Sequence, residues 1–192
     1  MKILIVGPSW VGDAVMAQSL YKIIKNLNPE SKVDVLSPEW ASGVLKRMDQ
    51  INNLIISPFN HGDLKIKARV SFGKSLRSKA YDQAIILTNS LKSSFIPFAA
   101  NIPRRTGWLG EMRYGLINDI RKVNKVHDRL MIEKFSCLSP EPAREDSYEI
   151  PWPSLSVDPL NLSKLLKKYG FDKSSKSIAI CPGAEFGPSK RW

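Results

Sequence analysis

Gly7-Pro8-Ser9-Trp10-Val11-Gly12-Asp13 joins an apolar run, residues 2–6 (KILIV), to a stretch, residues 13–27, in which Val15, Met16, Leu20, Ile23, Ile24 and Leu27 recur at helical spacing. Consecutive apolar residues without alternation predict a strand buried on both faces, as in a parallel sheet. The quoted stretch is then a βα loop at a strand's carboxyl end. There an open α/β sheet gathers loops and the unpaired N–H groups of helix N-termini into a ligand crevice. Gly7 and Gly12 allow tight turning and close backbone approach, and Asp13 is placed to cap the helix that follows. An ordinary helix cap after a βα turn needs the same residues, so both readings stand at this point. The two glycines lack the third of the dinucleotide fingerprint Gly-x-Gly-x-x-Gly, which argues against nicotinamide or flavin chemistry.

Downstream, apolar runs at residues 32–36, 53–56 and 83–87 alternate with helical patterns at residues 39–48, 64–78 and 91–100. That alternation predicts an α/β fold, a Rossmann-like parallel sheet with helices on both faces. Thr88-Asn89-Ser90 repeats the first loop's chemistry at another strand end and should face the same crevice, where Lys92 and Ser93 either hold an anion or form a plain cap with a solvated lysine. Residues 103–115 mix Arg104, Arg105, Arg113, Trp108 and Tyr114 with three glycines and weak periodicity. This reads as a loop gripping a charged ligand, or as a packed aromatic with surface arginines. Residues 127–138 predict a covering helix, and five of the 13 prolines fall in residues 139–159, the composition of a linker or an extended surface segment. A helix over residues 159–169 and a buried strand over residues 177–181 follow.

Composition narrows the class. With 43% hydrophobic and 24% charged residues the 192-residue chain can form a packed core, and no apolar run nears the roughly 18 residues of a membrane span. The chain opens directly into its first strand with no signal-peptide pattern, so we expect a cytoplasmic protein. Cys137 and Cys181 lack metal spacing and read as buried thiols. Of the net charge of +11, residues 64–134 carry +10, with fifteen Lys and Arg against five acids. An anionic partner follows, unless the lysines of residues 65–79 are merely a solvated helix face.

Four segments, GPSWVGD at 7–13, TNSLKS at 88–93, RRTGWLGEMRYGLIND at 104–119 and CPGAEFGPSKRW at 181–192, resemble in order the ADP-heptose:lipopolysaccharide heptosyltransferases of glycosyltransferase family 9. Within that family they are most similar to the branch adding the second heptose of the inner core. The resemblance implies the N-terminal half of a GT-B glycosyltransferase: an acceptor domain over residues 1–150, then a linker and the truncated start of a donor-binding domain over residues 151–192. The rest of that domain would be supplied elsewhere, on another chain, and residues 1–192 alone would be inactive. It implies inverting transfer of heptose from ADP-L-glycero-D-manno-heptose to heptose-Kdo-lipid A, with Asp13 as the base that deprotonates the acceptor hydroxyl. Ser189 and Lys190 would contact the donor pyrophosphate. Ser9, Trp10, Gly12, Asn89, Lys92, Arg104, Arg105, Trp108 and Arg113 would hold the anionic acceptor. No cofactor or metal is implied, and no Asp-x-Asp occurs in the chain. Peripheral contact with the cytoplasmic face of the inner membrane is implied, and nucleic acid is not expected. The alternatives are a non-catalytic basic module that binds an anionic glycan, a lipid surface or nucleic acid, and a split or decayed gene product.

Overall fold

The computed structural model describes residues 1–60, 62–122, 130–141, 149–172, 174 and 176–183. Its first compact unit, Met1–Ser156, is built on six parallel strands, β1 (Lys2–Val6), β2 (Lys32–Ser37), β3 (Asn53–Ile56), β4 (Gln83–Ile86), β5 (Arg104–Trp108) and β6 (Asp119–Arg121). They lie in the order β3-β2-β1-β4-β5-β6. This is the doubly wound Rossmann order, and its direction reverses between β1 and β4, the neighbours that flank the ligand crevice of such sheets.

Side chains alternate across the strands, which divides the core in two. Ile3, Ile5, Val35 and Ile85 face the layer of α1 (Val11–Met16), α2 (Gln18–Leu27), α3 (Ser42–Leu45) and α6 (Met131–Ser136), with Leu20, Leu45 and Phe135 closing that side. Leu4, Leu36, Ala84 and Ile86 face the opposite side, where Phe72 of α4 (Ile66–Ser75) and Ile96 of α5 (Leu91–Ala99) pack. Helices therefore cover both faces, as the alternation of runs predicts. The α4–α5 contact depends on Gly73, where an added Cβ would stand 2.5 Å from the Ile96 carbonyl oxygen.

The expected helix over residues 13–27 is two helices broken at Ala17, and the expected loop over residues 103–115 contains a strand. In β5 the buried Thr106 hydroxyl accepts from Gln83 Nε2 at 2.7 Å, and Gly107 lets Ile117 press against the backbone. Residues 151–156, expected as a linker or an extended surface segment, are tied to the first unit. Ser19 Oγ donates to the Pro151 carbonyl (2.6 Å), Gln18 exchanges two bonds with Ser154, and Ser156 N donates to the Arg47 carbonyl.

In the second unit, Val157–Trp192, α7 (Pro159–Tyr169) starts on the Asp158 carboxylate, which accepts from Leu160 N and Asn161 N, and stops at Gly170 with φ +67°. The run 177–181 forms no strand, and Ile178 and Ile180 are exposed. A strand exists only when paired, and among the described residues none is paired with this run. Cys181 is exposed as well, against the expectation of a buried thiol, whereas Cys137 is half-buried against the core. No helix among the described residues is long and apolar enough to cross a membrane.

Candidate active site at the carboxyl edge of the sheet

The loop after β1 leaves the sheet through Gly7, whose N–H donates to the Leu36 carbonyl at 2.9 Å. A Cβ at this position would lie 3.1 Å from that oxygen, so the close approach of the two strand ends selects glycine. Trp40 Nε1 donates to the Ser9 carbonyl at 2.7 Å and pins the loop from the β2 side. Trp10, with extended backbone, occupies the cap position of α1 and makes no side-chain cap bond.

Asp13 is therefore not the cap. It is the third residue of the helix, in the first turn, and its side chain makes no hydrogen bond or ion pair among the described residues. Gly12 is helical with open space around it, so neither a turn nor a close approach requires it, and it leaves the helix surface beside Asp13 bare. Partial burial pushes the Asp13 carboxyl above the ordinary aspartate range. An aspartate with no donor on it and a raised proton affinity is a better base than a capping one.

Asp13 lines an open cavity of about 480 Å³ together with Ser9, Trp10, Asn89, Lys92, Trp108 and Lys134. Five of the expected site residues thus meet around Asp13. Lys134 was not among the expected residues. It comes from α6, whose apolar spacing marks a covering helix but does not reveal which cation overhangs the crevice.

Glu111 was also unforeseen: its carboxylate accepts from Leu91 N at 2.6 Å and caps α5 from twenty residues away. Of the two readings of this helix terminus, an anion site beside Lys92 or a plain cap, the cap is supplied by the protein's own Glu111. Glu111 and Met112 both adopt positive φ (+43° and +51°), a costly conformation for residues with a Cβ.

The three arginines do not meet the expectation made of them. Arg104 and Arg105 begin β5, and in a parallel sheet the start of a strand lies at the edge opposite the β1 loop. Arg104 pairs with Asp119 at 2.9 Å, while Arg105 donates to the carbonyls of Ile102 and Leu116 and stacks over Phe98. Arg113 does reach the carboxyl edge but is only 1% exposed. Its guanidinium donates to the carbonyls of Thr88 (2.7 Å) and Trp108 (2.6 Å), with a longer bond to Gly110. Burial pushes its pKa down while Glu111 pulls it back up. It is a clip joining two loops of the crevice, not a free anion receptor. Ser189 and Lys190, the expected donor contacts, lie outside the described residues.

A smaller pocket, about 80 Å³, opens beside the first and shares Ser9, Thr88, Ser90 and Lys92 with it. Arg69 also lines it and is only 6% exposed, although its helix reads as solvated from charge alone. Helical phase carried the signal: Arg69 shares a face with Phe72, Gly73 and Leu76, all buried or half-buried.

Comparison with known proteins gives consistent matches. The model of the glycosyltransferase family 9 (heptosyltransferase) matches residues 69–192. Lipopolysaccharide heptosyltransferase 2 of Salmonella typhimurium is 46% identical over all of this chain and 57% of its own length. The lipooligosaccharide heptosyltransferase 2 of Haemophilus influenzae is 44% identical with the same coverage. Among solved structures, Escherichia coli ADP-heptose lps heptosyltransferase II superposes with a TM-score of 0.88 at 41% identity, covering 100% of this chain and 57% of that one. A family 9 glycosyltransferase from Veillonella parvula shares the fold at a TM-score of 0.79 and 14% identity, covering 100% of this chain and 55% of its own. The chain thus spans somewhat more than half the length of the curated relatives it matches.

Proposed function

The chain belongs to glycosyltransferase family 9, and from that premise we propose that it carries the acceptor side and the general base of a GT-B heptosyltransferase. The proposed reaction is inverting transfer of heptose from ADP-L-glycero-D-manno-heptose to heptose-Kdo-lipid A in lipopolysaccharide biosynthesis. The names of its relatives support heptose transfer to lipopolysaccharide, and the whole-enzyme activity reaches this chain as a proposal.

One observation carries the assignment of the base. Asp13 stands at the switch point of the sheet, unpaired among the described residues and raised in pKa by burial, in a cavity large enough for a sugar. In the proposed step its carboxylate takes the acceptor hydroxyl proton as that oxygen attacks the anomeric carbon, and the bond from that carbon to the ADP oxygen breaks on the opposite face. Lys92 and Lys134 offset acceptor charge, and Trp108 and Asn89 shape the cavity wall. Ser189 and Lys190 would stabilise the leaving pyrophosphate, with no metal in the step. Contact with the inner membrane surface belongs to the same proposal, since the acceptor is a lipid.

The alternative of a non-catalytic basic module rests on net charge, and much of that charge is committed inside the fold. Arg69, Arg105 and Arg113 donate to main-chain carbonyls, and Arg104 and Arg121 pair with Asp119.

The test fuses this chain to the remaining portion of the Salmonella relative, incubates it with ADP-heptose and heptose-Kdo-lipid A, and weighs the acceptor by mass spectrometry. A gain of one heptosyl unit is expected. No gain from a folded fusion that binds ADP overturns the proposal, and preference for DNA over the glycan in a parallel binding assay favours the module.

A further inference from the structure

The 80 Å³ pocket beside the Asp13 cavity is unlike its neighbour. It lies where the ends of β1 and β2 meet the first turn of α5, and among the described residues its lining contains two cations, Arg69 and Lys92, and no carboxylate. Ser37, only 2% exposed, lines it, and its Oγ has no hydrogen-bond partner among the described residues; the same holds for the buried Oγ1 of Thr88. Buried hydroxyls without partners are unfavourable in a folded chain unless a ligand or water meets them.

Arg69 is held rigidly. Its Nε donates to the Leu64 carbonyl at 2.9 Å, one Nη donates to the Asp63 carbonyl at 2.8 Å, and the guanidinium lies over the Phe59 ring at 4.3 Å. The other Nη has no partner among the described residues. Lys92 likewise makes no ion pair among them.

Size narrows the occupant. A water needs about 10–15 Å³ of such space, so the pocket takes roughly five to eight atoms of that size. A carboxylate with its carbon or a phosphoryl group fits, whereas a sugar ring does not. A guanidinium and an ammonium with spare donors, flanked by hydroxyls, match an oxyanion.

We propose that this pocket is an oxyanion subsite that receives a carboxylate or phosphate group of the acceptor beside the sugar held at Asp13. The proposal rests on reading the Asp13 cavity as the acceptor site. It makes Ser37 and Arg69 specificity-determining residues, since a neutral acceptor would leave two cations and two hydroxyls unmatched.

The test uses the full chain, ¹⁵N-labelled, titrated separately with inorganic phosphate and with acetate. One anion should shift the amides of Ser37, Ser57 and Thr88 saturably, at about 1–10 mM. The anion that binds tighter identifies the group as a phosphate or a carboxylate. Ser37→Val, which fills the pocket, and Lys92→Gln should each weaken that binding about tenfold. Ser37→Ala serves if the valine variant does not fold. The proposal is overturned if neither anion gives saturable shifts, if the shifts map to Lys74 and Arg77 instead, or if the folded Ser37 variants bind like the parent. Because the readout is anion binding, its failure is separate from absence of heptosyl transfer in the fusion assay.

Discussion

Both edges of the sheet carry cations, and the fold uses them differently. At the amino edge Arg104 and Arg105 are spent on Asp119 and on main-chain carbonyls. At the carboxyl edge Lys92 lines both pockets and makes no ion pair among the described residues, and Asp13 beside it has no partner there either. Charge is available to a ligand only where the fold has not already used it. Arg113 marks the boundary between the two uses, since it sits at the functional edge and does structural work.

Substitutions can break this comparison at its strongest point first. Asp13→Asn in the active fusion should lower turnover by about 10²- to 10⁴-fold, measured as ADP release, with acceptor binding nearly unchanged. Its folding stability sharpens the test. A carboxyl whose pKa is raised on folding contributes stability below its ordinary value, and that contribution is lost as pH rises through the folded value. At pH 7 the Asn variant should therefore be no less stable than the parent, as a thermal melt would register. Near-normal turnover would remove Asp13 from catalysis.

Arg113→Ala should cost about 3 kcal/mol, because it strips donors from buried carbonyls in two loops, and should lower Tm by about 6–12 °C. Arg104→Ala at the other edge, which breaks an exposed pair, should cost no more than about 1 kcal/mol. Equal losses would mean that the two arginines are equivalent after all. Lys92→Ala should leave the melting curve in place and weaken binding of the phosphorylated core acceptor about tenfold, an effect that added salt reduces.

The smallest effect concerns Asp119. Burial pushes its carboxyl up, but hydrogen bonds from Arg121, Thr106 and Arg104 outweigh burial, and the net direction is down. Its stabilising contribution is complete above the ordinary aspartate range and is lost as pH falls through the lowered folded value. Denaturant midpoints from pH 5 to pH 2 should fall less steeply in Asp119→Asn than in the parent; parallel curves would refute the assignment.

Four strands and the crevice were legible because continuous apolar runs at strand length, punctuated by helical periods, admit few other folds. The strand β5 was hidden: Arg104, Arg105 and Gly107 resemble a loop, and the pairing of Thr106 with Gln83 is a contact between distant residues. The run 177–181 erred in the other direction, since apolar residues suggest a strand but only a neighbour makes one. At the site, Asp13 was legible from its loop, although as a cap its proton affinity would have been read with the wrong sign. Arg113 and Glu111 were not, because their roles depend on which carbonyl or N–H lies across the crevice.

The Arg113 clip also sets how the crevice wall opens. Three bonds from one planar group hold the Thr88 loop and the turn after β5, so neither loop loosens unless the guanidinium releases both. Amide hydrogens of residues 89–92 and 109–113 should therefore exchange with solvent at a shared, slow rate set by a single opening event, while those of residues 10–13, outside the clip, exchange on a faster and independent clock.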